Sequence, residues 1–245
     1  MNAKRGFVPE DVRNFSPEAV EIMRTASRHV CYLLDEGYDL KQAAVFVGNH
    51  FLLSERQRLA VMRSAASKQQ LAERRGKRKD LRELAGAEVW IDGFNTVITM
   101  EVLLNDSLLF ECMDETVRDL ASLRGTYRLI PETAGAVRLM LDVLQEAGVS
   151  RVNVLLDEPV SNSGRLKALI AETAEENCTF DLDIRVLRDV DSALYGKENV
   201  ITSDSVILDH CVSWINLTAE AMERKGKKGL CLWQESERSI SPGSR

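Results

Sequence analysis

Five aspartates, Asp92, Asp157, Asp191, Asp204 and Asp209, could do chemistry if the chain brought them together. Three of them close short runs of β-forming residues: Val89-Trp90-Ile91-Asp92, residues 152–157 (VNVLLD) and residues 200–204 (VITSD). In an open parallel sheet the ligand lies beyond the carboxyl ends of the strands, so these positions converge on one edge. Carboxylates held that close repel one another unless a cation neutralises them or a proton is shared. Oxygen ligands with no histidine or cysteine nearby favour Mg2+ or Mn2+. Such an ion orients water and stabilises charge on a phosphoryl group, which is the chemistry of phosphodiester hydrolysis. Each aspartate taken alone could equally be a helix N-cap, since strand-to-helix turns often use one. The segment after Asp92 adds to the set. Gly93 permits a tight turn, and Asn95 can hydrogen-bond Asp92 or a metal-bound water.

The elements that must position these groups follow from the periodicity. Residues 1–85 read as an all-helical region. Ser16-Pro17 opens one helix, with Ala19, Met23, Ala26 and Val30 on its apolar face and Gly37 as its stop. Asp39 opens a second, ended by Gly48, and Ser54 opens a third with Gln57 at the capping-box position. That third helix is expected to continue into a charged stretch (Lys68, Arg74, Arg75, Lys77, Arg78, Lys79 and Arg82), an exposed helix end and linker. Helix-turn-helix spacing at Gln42, Ala44 and Gly48 is imperfect, and a plain helical hairpin fits better. Residues 86–235 change to strand–helix alternation, which predicts an α/β domain with a mostly parallel sheet sandwiched by helices. Its strands are expected near residues 89–92, 108–112, 152–157, 182–187 and 200–204, with residues 230–233 closing the sheet. A helix over residues 206–217 should follow Asp204. Residues 236–245 read as a flexible tail.

Here the residues carry a family resemblance. Ile91-Asp92-Gly93-Phe94-Asn95 resembles the first motif of PIN-like nucleases, especially the NYN branch. Residues 188–194 (RDVDSAL) resemble the second NYN motif, although that pattern usually has Lys-Gly where Arg188 and Asp189 stand. Residues 200–209 resemble the last motif, and order and spacing agree over residues 89–233. The whole chain also resembles a prokaryotic family of unknown function in which a helical region precedes a PIN-like domain. The resemblance implies a metal-dependent ribonuclease acting on RNA, with Asp92, Asp191 and Asp204 binding Mg2+ or Mn2+. Asp157 and Asp209 would bind the ion or support it, Asn95 would orient the site, and Glu101 is an alternative second acid. By the same analogy the protein could form a homodimer.

Arg165 and Lys167, after the Asp157 strand, and Arg188, Arg75 and Arg78 are the candidate contacts to nucleic acid. A net charge of -6 gives no global electrostatic argument for such a partner, so any attraction must be local. Trp90 and Trp233 are expected in the core, and Tyr195 could stack on a base or fill a buried place. Two other classes compete. A non-catalytic binding or regulatory module would keep the fold and lose the chemistry. A haloacid-dehalogenase-type phosphatase needs an acid two residues after the first aspartate, and Phe94 stands there. The phosphate-binding P-loop and the Rossmann glycine fingerprint are both missing. Five scattered cysteines, no apolar leader and no apolar run of about 20 residues point to a cytoplasmic protein without a membrane span.

Overall fold

A computed structural model describes residues 4–121 and 125–233, and the tail proposed over residues 236–245 lies outside them. The helices are α1 (Asp11–Asn14), α2 (Pro17–Asp35), α3 (Leu40–His50), α4 (Glu55–Ser64), α5 (Lys68–Lys77), α6 (Gly93–Leu104), α7 (Thr133–Glu146), α8 (Ser163–Asn177), α9 (Val190–Leu194), α10 (Ser205–His210) and α11 (Leu217–Arg224). The strands are β1 (Arg78–Lys79), β2 (Glu88–Asp92), β3 (Phe110–Glu111), β4 (Val117–Arg118), β5 (Arg151–Asp157), β6 (Asp181–Leu187), β7 (Val200–Ile201), β8 (Trp214–Ile215) and β9 (Leu230–Cys231).

A six-stranded sheet in the order β1-β8-β7-β2-β5-β6, parallel throughout, is flanked by helices, with the helical region ahead of it in the chain. The α/β class expected from the alternation is therefore observed. β5 explains why: residues 152–156 are all buried, so both faces need cover and only helices can supply it. From β2 the chain steps outward through β5 to β6, then returns to the other side of β2 for β7 and β8. The direction of winding reverses between β2 and β7. That is the switch point at which such sheets open a crevice for ligand.

Several sequence expectations need correction. Residues 230–233 do not close this sheet: β9 pairs with β3 in a separate three-stranded sheet, order β4-β3-β9. That side of the sheet ends instead in β8 and the edge strand β1, two-residue strands too short to leave a periodicity. The helix expected over residues 206–217 stops at His210, because the chain turns there to lay down β8. Gly48 does not end α3, which runs on to His50. The third helix stops at Ser64. Ser67 then starts α5 with its own capping box to Gln70.

The charged stretch is no loose linker. Its Arg78-Lys79 forms β1, and Arg74 is only 3% exposed. α2, α3 and α4 bury Met23, Ala26, Val30, Ala43, Val47 and Ala60 in a core shared with Phe110 of the small sheet and with Cys112 and Leu232, which follow its strands β3 and β9. The helical region and the α/β domain thus share an interior. Among the described residues no helix is long and apolar enough to cross a membrane, and none of the five cysteines forms a disulfide.

Candidate carboxylate site at the sheet edge

Asp92 ends β2 at the switch point, beside β5 on one side and β7 on the other. It stands at the N-cap position of α6, yet its side chain makes no cap hydrogen bond. Its carboxylate is 6% exposed, and Oδ2 accepts from the Thr202 hydroxyl at 2.9 Å. The same hydroxyl oxygen accepts from the Asp204 backbone N–H at 3.0 Å, so Thr202 fixes the spacing of the two acids. Burial pushes the Asp92 pKa up to about 7. The Thr202 hydrogen bond opposes that rise, and the charges of Asp204, Asp157 and Asp191 add to it. Gly93 is required by contact more than by turning. A Cβ there would meet Leu156 Cδ2 at 2.6 Å and the Leu155 carbonyl at 2.8 Å.

The other acids gather at the same edge. Asp157 ends β5 half-buried, and its pKa is raised chiefly by burial and then by Asp189. Asp191, in the first turn of α9, is exposed, and its pKa is raised by partial desolvation and by Asp204, Asp157 and Asp189. Asp204 caps α10, its Oδ1 accepting from the N–H groups of Val206 (2.8 Å) and Ile207 (3.3 Å). The cap use weighed for the strand-end acids is realised at Asp204 and not at Asp92. The four carboxylates act on one another. Among the described residues, however, no group of three or more His, Cys, Asp or Glu side chains is placed to hold a metal ion by itself.

Three expected members do other work. Asp209 is gripped by Arg74, with Nε to Oδ1 at 2.7 Å and Nη2 to Oδ2 at 2.9 Å, so its charge is already answered. Glu101 is fully buried elsewhere, ion-paired with Arg5 at 2.6 Å and accepting from the Tyr127 hydroxyl at 2.7 Å. Asn95 Oδ1 does not bond Asp92. It accepts from the Ser203 N–H and hydroxyl, both at 2.9 Å, and so anchors the loop that carries Asp204.

Behind that loop lies a charge cluster that no sequence motif announces. Buried Arg118 donates to the Ser203 carbonyl at 2.7 Å and grips Asp114 at 2.7 and 3.1 Å. Arg74 reaches Asp114 at 2.8 Å, and the Thr116 hydroxyl does so at 2.6 Å. Burial alone would raise the Asp114 pKa. Arg118, by charge and hydrogen bond, with Thr116 and Arg74, outweighs it and holds the carboxyl down to about 2. Asp114, Thr116 and Arg118 are near neighbours in the chain, but Arg74 joins Asp114 and Asp209 across 40 and 135 residues, beyond the reach of any local pattern.

The candidate nucleic-acid contacts divide. Arg165 and Lys167 are exposed in the first turns of α8 and make no ion pair among the described residues. Arg188 is exposed and pairs with Glu158 at 2.9 Å. Arg75 and Arg78 both pair with Glu115, and Arg78 also lies over Trp214. Trp233 is buried as expected, whereas Trp90 is half-buried with the Lys197 ammonium 4.2 Å from its ring centre. Tyr195 stacks on His210 with ring centres 4.4 Å apart.

The fold and site define a Rossmann-like α/β protein with a carboxylate-rich switch point and a helical region built into it. The chain belongs to the DUF5616 family, a domain of unknown function whose model matches residues 81–220. A second family of unknown function, DUF434, matches residues 22–77. The uncharacterized protein MJ0935 of Methanocaldococcus jannaschii is 33% identical over 199 residues, covering 80% of this chain and 95% of its own. A match that long takes in both regions. No solved structure matches.

Proposed function

We propose that this protein is a metal-dependent ribonuclease that hydrolyses RNA phosphodiester bonds at the β2–β7 switch point. One observation carries the reading: Asp92 is buried, unused as a cap, and pushed up to about 7 with three other carboxylates contributing. A divalent cation relieves that repulsion. The donors fit Mg2+ or Mn2+, being hard oxygens, and Mg2+ keeps several waters and takes only one or two carboxylates directly. Asp92, Asp191 and Asp204 would hold it, with Asp157 beside them and Asp209 left to Arg74. Bound there, the ion would activate water and neutralise charge on the phosphoryl group. The chain's own groups keep the geometry: Thr202 spaces Asp92 from Asp204, and Asn95 and Arg118 fix Ser203 between them. Arg165 and Lys167 are free to meet backbone phosphates. The likeness of the three strand-end motifs to those of NYN-type PIN-like nucleases supports the same reading. With it go a cytoplasmic location and a homodimeric state.

The test incubates single-stranded and structured RNA with the protein and Mn2+ or Mg2+, beside an Asp92→Asn/Asp204→Asn variant. Metal-dependent cleavage that disappears in the variant is the expected result. A second reading, a nucleic-acid-binding module without catalysis, is favoured by the lack of any three carboxylates already at metal-binding spacing among the described residues. Tight RNA binding by metal-loaded protein that cuts no member of a broad panel would establish that reading and remove the first.

A further inference from the structure

A cleft of about 800 Å³ lies between the helical region and the carboxylate edge. Its α/β wall includes Asn95, Ser203 and Asp204, so it opens directly onto the proposed site. Its helical wall includes Leu34, Leu40, Leu59 and Met62, all half-buried, with Tyr38 beside them. Gly37, at φ +86°, follows the end of α2, and Tyr38 after it is 58% exposed.

The guanidiniums lining this space are already matched, and Asp39, Glu73 and Asp204 line it without an ion pair among the described residues. Arg74 and Arg118 are held by Asp114, Asp209 and the Ser203 carbonyl, and Arg63 is held by Asp119. Asp39 caps α3 by accepting from the Gln42 N–H at 3.0 Å. The helical wall therefore offers a phosphate no unpaired guanidinium. It offers a flat, weakly charged ring an apolar floor and an aromatic face. A volume of this size suits one or two nucleotides and not a turn of duplex.

We propose that the helical wall is a nucleobase subsite, in which an unpaired base lies over Leu34, Leu40, Leu59 and Met62 and stacks on Tyr38 while the phosphodiester joined to it sits at Asp204. This rests on the phosphodiester reading of the carboxylate edge. It gives the helical region a role in choosing substrate: single strands enter and paired bases do not.

The experiment measures fluorescence anisotropy of a labelled single-stranded oligoribonucleotide, an abasic strand of equal length and a duplex, with Mg2+ and Asp92→Asn protein to prevent turnover. Tyr38→Ala and Tyr38→Phe are compared in that background. Tyr38→Ala should weaken single-strand binding roughly tenfold, as loss of one base–aromatic stack does. Tyr38→Phe should keep the affinity. The loss should be alike at low and high salt, because stacking releases no counterions. Equal binding of Tyr38→Ala, or of the abasic strand, overturns the subsite. Tyr38-dependent binding in a protein whose wild-type form never cuts RNA sustains the subsite and defeats the nuclease. Cleavage by Tyr38→Ala with unchanged KM does the reverse, and failure to bind any strand overturns both.

Discussion

Asp92 and Asp114 are both buried aspartates close to the Ser203 loop, and their surroundings drive them in opposite directions. Asp114 is 1% exposed and answered by two guanidiniums and a hydroxyl, and its pKa falls to about 2. Asp92 is 6% exposed, bonded by one hydroxyl and pressed by three further carboxylates, and its pKa rises to about 7. Burial alone does not tell a structural acid from a functional one. What distinguishes them is whether the chain supplies the balancing charge itself. For Asp114 it does, and the result is a clamp. For Asp92 it does not, and a proton or, on the proposed reading, a bound cation supplies the balance.

The sharpest way to break this contrast is to neutralise each acid in turn. Asp114→Asn should destabilise the fold by about 3–5 kcal/mol in chemical denaturation, because it leaves buried guanidiniums without their counter-charge. Should that variant unfold as readily as wild type and no more, the clamp has been misjudged. Asp92→Asn should act with the opposite sign, raising stability at pH 8–9 by up to about 4 kcal/mol while abolishing activity. Its gain should vanish near pH 4, where wild-type Asp92 is itself protonated.

The pH dependence separates the two acids further. The Asp92 pKa is raised on folding, so its contribution to stability is full below the ordinary value of 3.8 and is lost as pH climbs to about 7. The Asp114 pKa is lowered on folding, so its contribution is full above 3.8 and is lost as pH falls toward 2. Melting temperature against pH should show both limbs. Mg2+ or Mn2+ should restore only the alkaline one, and a cation that changes neither would count against the metal site. The smallest effect belongs at the rim. Arg188→Ala breaks an exposed pair with Glu158, so it should change stability by less than about 1 kcal/mol in the same melts.

The sequence displays the parts of this arrangement that rest on local pattern. Buried parallel strands such as β5 declare themselves by an unbroken apolar run, and strand-end acids stand out against it. The sequence hides what depends on distant pairing. β1 is Arg-Lys, which no propensity marks as strand, and it exists because β8 lies alongside. Arg74 sits in a run that looks solvated, yet Asp114 and Asp209 draw it inside. Asp209 therefore read as a partner of Asp204 when its real partner was Arg74. The break between α4 and α5 was legible: Ser67 with Gln70 repeats the signature that correctly marked Ser54 with Gln57, but Ala65-Ala66 kept the helical pattern going across it.

The edge strand β1 also bears on how the protein is made. Emerging from the ribosome before most of the α/β domain, it must wait for β8, and the Arg74 carbonyl for the Trp214 indole, 140 residues later. Contacts of such long sequence separation form slowly and late. These contacts of the helical region are thus completed only when β8 is in place, which ties the two matched regions together. Cutting the chain between them would strip an edge from the sheet and leave each half with an unfinished surface.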